Sequence, residues 1–240
     1  MEEKLIKRRD ILKNMATGIV GITVASTCGV GNLSWAKTDV STAKDPSAAR
    51  RPNVIFILTD DQGYADLKLH GNKDINTPNI DRLFEESVEF SKYYVCPVCA
   101  PTRASLMTGR YNIRTNVLDT WKARDCMSPD EVLLPEILQK NGYQTCILGK
   151  WHLGDHFPLR PQDRGFDESV VHLGGGLGGS ALHPVSPKGS YFDPTLYHNG
   201  TPEKYHGYCM DIYADEAVKF IEENKAKPFF LYLATNTPHA

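Results

Sequence analysis

Four short stretches carry side chains suited to chemistry: Asp60-Asp61, Cys99 with Arg103, Lys150 with His152, and His239. Adjacent carboxylates are hard oxygen donors that suit Ca²⁺ or Mg²⁺, although an aspartate pair also caps turns well. Lys150 and His152, two apart in "GKWHLG", face the same side of an extended segment. In "VCPVCAPTRASLMTGR", Cys96 and Cys99 precede a helix-like run. Cys96-Pro97-Val98-Cys99 is formally a CxxC, the form of a redox pair or half a zinc site, but no second CxxC or His-x-x-His follows at zinc spacing. Pro101 and Arg103 are in register with Cys99, so Cys99 is the cysteine with a chemical setting.

The elements that must hold these residues alternate along the chain. "PNVIFILTDD" contains a continuous apolar run from Val54 to Leu58, the pattern of a strand buried on both faces, and it ends on Asp60 and Asp61. "TPNIDRLFEES" predicts a helix capped by Thr77, with Pro78 in its first turn and Ile80, Leu83 and Phe84 on one face. "LLPEILQKNGY" repeats that design and stops at Asn141-Gly142, and "QTCILGK" follows as a strand. "MDIYADEAVKFIEENK" predicts a helix with Ile212, Ala217, Phe220 and Ile221 inward, leading into the buried strand "FFLYLAT". The fold class is therefore α/β, with a mostly parallel central sheet flanked by helices. In such sheets ligands bind beyond the carboxyl ends of the strands, where Asp60-Asp61, "GKWHLG" and "TNTPHA" all fall.

"CAPTRASLMTGR" resembles the signature of the type I, formylglycine-dependent sulfatases: Cys-x-Pro-x-Arg followed by a leucine and a Thr-Gly, matched by Cys99, Pro101, Arg103, Leu106, Thr108 and Gly109. "NVIFILTDDQGYADL", "GKWHLG" and "TPH" follow the same family in order, so the resemblance runs from Pro52 to the end of the chain. It implies the alkaline-phosphatase-like superfamily, and oxidation of Cys99 to formylglycine by a formylglycine-generating or radical SAM maturation enzyme. It further implies a divalent cation, Ca²⁺ or Mg²⁺, held by Asp60, Asp61 and the modified Cys99. An aldehyde hydrate offers two hydroxyls on one carbon: one attacks sulfur, its pKa lowered by the metal, and the other collapses to expel sulfate. Arg103 and Lys150 would hold the negative charge, His152 would take the proton from the hydrate, and His239 would stand at the leaving oxygen. The implied activity is hydrolysis of sulfate esters on a small aryl sulfate or a glycan. A phosphodiester or phosphonate ester hydrolase of the same superfamily, and a non-catalytic sulfated-glycan binding remnant, are the alternatives.

Family members are commonly about twice this length, and their remaining metal ligands and a second lysine lie beyond the "TPH" element. The expectation is an N-terminal part of the catalytic domain (residues 52–240), incomplete at its C-terminus and inactive alone. Ahead of it, residues 1–36 resemble a twin-arginine export signal, with Arg8-Arg9-Asp10-Ile11-Leu12-Lys13, a mildly apolar run and "SWA" at Ser34–Ala36. That predicts passage through twin-arginine export machinery to the periplasm or the extracellular space, with residues 37–51 as a polar linker. Net charge is −2, and the charges form no block, so there is no basic field for nucleic acid. Of six cysteines, Cys28 lies in the first 36 residues, leaving an odd five. With Cys99 set aside, Cys96, Cys126, Cys146 and Cys209 allow one or two disulfides, although Cys146 in its apolar strand reads as a buried thiol. "GGGLGGSA" at Gly174–Ala181 lacks the lysine-serine ending of a phosphate loop and reads as a mobile loop over the pocket.

Overall fold

A computed structural model describes residues 51–177 and 191–239. Residues 1–36, expected as an export signal, nearly all of the expected linker 37–51 and half of the glycine-rich segment 174–181 lie outside the described residues. The elements are β1 (Val54–Asp60), α1 (Pro78–Glu85), α2 (Cys99–Thr108), α3 (Leu134–Lys140), β2 (Gln144–Lys150), β3 (Glu168–His172), β4 (Thr195–His198), β5 (Thr201–Lys204), α4 (Cys209–Asn224) and β6 (Phe229–Pro238). The sheet order is β1-β6-β2-β3-β4-β5. The first four strands in that order run parallel, and β4 and β5 close the far edge as an antiparallel pair. Among the described residues no helix is long and apolar enough to cross a membrane.

The two central strands explain the layering. Successive strand side chains point to opposite faces, so Ile147, Phe230 and Tyr232 join Ala100, Ala104 and Met107 of α2 in one core. Cys146, Leu148, Phe229 and Leu231 join Ile212, Tyr213 and Phe220 of α4 in the other. Each buried leucine, isoleucine, phenylalanine or methionine among them stabilises the fold by about 1.5–3 kcal/mol.

Three expectations are corrected. β1 is an edge strand, and it is not buried on both faces: Phe56 and Leu58 pack on the α2 core, while Val54, Ile55 and Ile57 are exposed. In α1, Ile80, Leu83 and Phe84 are likewise exposed, so its apolar face is left largely open. The cysteines Cys96, Cys99, Cys126, Cys146 and Cys209 are all free thiols, so no disulfide forms among them.

Candidate active site

Two local devices bring the chemical residues to one place. β1 pairs regularly with β6 up to Leu58, then shifts register, so that Asp60 stands opposite Pro238. Such an irregularity re-aims a side chain, and Asp60 turns into the interior at 3% exposure. The second device is Gly149, at φ +108°, where an added Cβ would lie 1.9 Å from the Ala234 carbonyl oxygen. Only glycine lets β2 approach β6 that closely, and this fixes where Lys150 emerges.

α2 begins at Cys99 itself, after the extended Val98, and ends on Gly109 at φ 66°. Pro101 falls in the first turn, where its missing N–H costs nothing. The Thr102 hydroxyl donates to the carbonyl of Cys96 at 3.0 Å and tethers the approach to the helix. Cys99 thus sits at the positive end of the helix, where unpaired backbone N–H groups favour an anion.

Arg103, one turn on, is buried at 1% exposure. It donates to the Lys150 carbonyl (2.8 Å), the Tyr232 hydroxyl (3.4 Å) and Asp60 Oδ1 (3.1 Å). Lys150 Nζ donates to the other oxygen, Asp60 Oδ2, at 2.7 Å, and Lys150 is wholly buried. Asp60 is therefore the shared counter-ion of two buried cations.

His152 does not continue β2 as an extended residue; its φ is 61°. The turn carries the ring to Cys99, with Nδ1 3.3 Å from Sγ. Nε2 faces the Thr120 carbonyl at 3.1 Å and Asp125 Oδ2 at 3.5 Å. A carbonyl only accepts, so Nε2 carries the proton and Nδ1 presents its lone pair to the thiol. Burial pushes the Cys99 thiol up, but the hydrogen bond and charge of His152 and the charge of Lys150 outweigh it and bring it below the ordinary thiol value. Burial pushes the His152 imidazole down, yet its bonds to Asp125 and Cys99 prevail and raise it.

His239 Nε2 lies 3.7 Å from Asp61 Oδ2, and Asp61 is largely exposed. Cys99 stands between two cavities. One, of about 470 Å³, is lined by Asp60, Asp61 and Arg103. The other, of about 480 Å³, is lined by His152, Trp121 and His239. All seven residues singled out from the sequence thus gather around Cys99 or its immediate support. Asp125, the Thr120 carbonyl and Tyr232 also belong to the site, and nothing in their local sequence marks them. His172, paired with Lys150 across β2 and β3, is buried too, and burial, with the charges of Lys150 and Arg103, holds its imidazole well below the usual range.

Among the described residues no group of three or more His, Cys, Asp or Glu side chains could hold a metal ion. Both oxygens of Asp60 are already taken by Arg103 and Lys150. The described residues therefore do not by themselves fit the Ca²⁺ or Mg²⁺ site that the resemblance implies. They do fit an oxygen-bearing group at position 99: a helix N-terminus, a histidine lone pair and open space on two sides surround that side chain.

The family model for Sulfatase matches residues 52–240. The chain belongs to the sulfatase family. It is 35% identical over 230 residues to N-acetylgalactosamine-6-sulfatase of Sus scrofa, a match covering 87% of this chain and 42% of the relative. The crystal structure of Ps i-CgsB superposes with a TM-score of 0.71 at 39% identity, over 80% of this chain and 46% of that one. A structure of BT4656 in complex with its substrate D-glucosamine-2-N,6-O-disulfate gives a TM-score of 0.66 at 32% identity, over 79% and 35%. The alkaline-phosphatase-like arrangement expected from the sequence is thus the observed fold class of this sulfatase-family chain. The chain spans about two-fifths of the length of the curated relatives it matches.

Proposed function

We propose that the protein hydrolyses sulfuric esters, with position 99 as the nucleophile and sulfated sugars as substrates. The observation that carries this reading is the Cys99–His152 contact at the head of α2, open to a cavity on each side. The names of the relatives, acting on sulfated amino sugars, support the substrate class.

Conversion of Cys99 to formylglycine would supply a hydrated aldehyde, whose oxygen can attack sulfur and whose second hydroxyl allows sulfate to be expelled. His152 takes a proton at Nδ1, and Asp125 stabilises the resulting imidazolium at Nε2. The α2 N-terminus and the positive charge of Lys150 and Arg103, partly balanced by Asp60, hold the sulfate's negative charge. His239 is positioned to donate a proton to the departing alcohol oxygen. Asp60 and Asp61 keep their candidacy as oxygen ligands of a divalent cation, but no step here is assigned to one.

Residues 1–36 are proposed as the export signal and 37–51 as a linker, which would take the protein to the periplasm or outside the cell. The deciding experiment is mass spectrometry of the tryptic peptide Tyr93–Arg103 from the native host, paired with a nitrophenyl sulfate assay of the same preparation. A peptide lightened at Cys99, with activity lost in Cys99→Ala, supports the reading. Ordinary thiol oxidation only adds mass and cannot mimic that loss, and an unmodified thiol from a host that matures other sulfatases argues against the reading.

A further inference from the structure

The cavity beside Cys99 and His152 runs out to the loop Leu118–Arg124, which none of the chemical motifs includes. The loop is closed on itself: the Leu118 N–H donates to the Arg124 carbonyl at 2.8 Å, and the Arg124 N–H to the Trp121 carbonyl at 3.1 Å. It is tied to the reaction centre through the Thr120 carbonyl, which accepts from His152 Nε2. At its tip, Lys122 and Ala123 have φ of 54° and 59°, a left-handed pair without glycine. Such strain persists only where surrounding structure imposes it, often at ligand sites. What the strained tip presents is a half-exposed indole, Trp121, with Lys122 Nζ 4.1 Å from the ring centre.

An aromatic plane and a movable ammonium are what a sugar ring bearing an anionic group requires. The other charges on the cavity wall are engaged: Asp125 faces His152 at 3.5 Å, and Asp155 faces His156 at 3.1 Å. Lys122 rests against the neutral ring of Trp121, so an incoming anion can draw it away without breaking that wall.

We propose that Trp121 and Lys122 form a subsite for the neighbouring sugar of the substrate, and that this sugar carries a second anionic group. The preferred substrate is then a polyanionic glycan, with one sulfate at position 99 and a sulfate or carboxylate on the adjacent residue at Lys122. This inference rests on the sulfate-ester reading of the same site.

The test is calorimetric binding by the full chain of three disaccharides: one with a single sulfate, one with a second sulfate on the neighbouring sugar, and one with a neighbouring uronate. The doubly anionic probes are expected to bind about three- to fivefold more tightly than the single sulfate, the upper part of the range of an exposed ion pair. Lys122→Gln should erase that preference and leave the singly sulfated affinity unchanged. Trp121→Ala should weaken all three about tenfold. Both side chains are exposed, and an unaltered circular dichroism spectrum shows that the variants fold. Whichever second anion gives the larger preference names the group that Lys122 takes. Equal binding of the three probes by the unaltered protein, or a preference that survives Lys122→Gln, overturns the subsite alone. Failure of all three to bind overturns the sulfate site, and the subsite with it.

Discussion

Cys99 Sγ and His152 Nδ1 lie 3.3 Å apart, and the Thr120 carbonyl behind the ring decides which nitrogen faces the sulfur. The pair works in either oxidation state of position 99, because the lone pair on Nδ1 can accept a proton from a thiol or from a hydroxyl. In the unconverted protein it has a chemical signature. The Cys99 thiol is brought below its ordinary value, whereas Cys126 on the same cavity wall is pushed up to about 11 by burial and by Asp125 and Asp155. Only the thiolate reacts with iodoacetamide. At neutral pH, Cys99 should therefore alkylate well before Cys126, and His152→Asn should move the Cys99 rate profile to higher pH. Peptide mapping after brief labelling checks this; Cys126 labelling first would refute the assigned contact.

Asp60 is the hinge of the site's electrostatics, with Arg103 on one oxygen and Lys150 on the other. All three are at most 3% exposed, so Asp60→Asn would leave two buried cations without their counter-charge. Breaking a buried pair from one side costs about 3–5 kcal/mol. The urea midpoint of Asp60→Asn should fall accordingly, while Lys150→Met should cost less, because Arg103 keeps Asp60 as its partner. Equal midpoints for Asp60→Asn and the unaltered chain would mean that water or another anion already compensates the two cations.

The same occupancy bears on calcium. A ligand that binds only the folded state raises the unfolding temperature, by an amount that grows with the logarithm of its concentration above Kd. With Asp60 engaged and no group of three ligating side chains among the described residues, millimolar Ca²⁺ should leave the melting temperature of the 240-residue chain unchanged, and chelators should not lower it. Scanning calorimetry with and without the ion checks this. A rise of several degrees would show that Ca²⁺ displaces Lys150 or Arg103 and recruits oxygens that the described residues do not bring together.

Much of this arrangement could be read from the sequence, and the parts that could not share a physical cause. β2, β6, α2, α3 and α4 declare themselves by apolar runs and helical spacing, and Asp60, Lys150 and His239 fall at or just past the carboxyl ends of β1, β2 and β6, where an α/β sheet gathers its ligand-binding groups. β4 and β5 were legible too: "TLYHNGTPEK" carries Asn199-Gly200, both at positive φ, a strong short hairpin signal that a search for buried parallel strands overlooks. Asp125, Thr120 and Tyr232 were not legible, because their roles come from tertiary contacts to His152 and Arg103 and from no local pattern. The exposed faces of β1 and α1 mark the opposite limit. An apolar run such as Val54–Leu58 says that burial is favourable, and the partner that provides it is not written in the run itself.

The antiparallel edge carries a pH dependence of its own. His198 on β4 bridges two carboxylates across the sheet, Glu168 of β3 at 2.6 Å and Glu203 of β5 at 3.2 Å. Burial pushes its imidazole down, but the two carboxylates outweigh that and raise it above the ordinary value. The unfolded value lies near 6.5, so the bridging contribution is fully present below about pH 6.5 and fades as pH rises through the higher folded value. A third to a half of each side chain is open to solvent, which limits the contribution to less than about 1 kcal/mol. Urea midpoints of the unaltered chain and of His198→Gln should therefore differ most on the acidic side of neutrality and converge in mild alkali, where Glu168 and Glu203 face a neutral ring in one protein and an amide in the other. A gap that stays constant across that interval would assign His198 to packing against the hairpin, with no part for its charge.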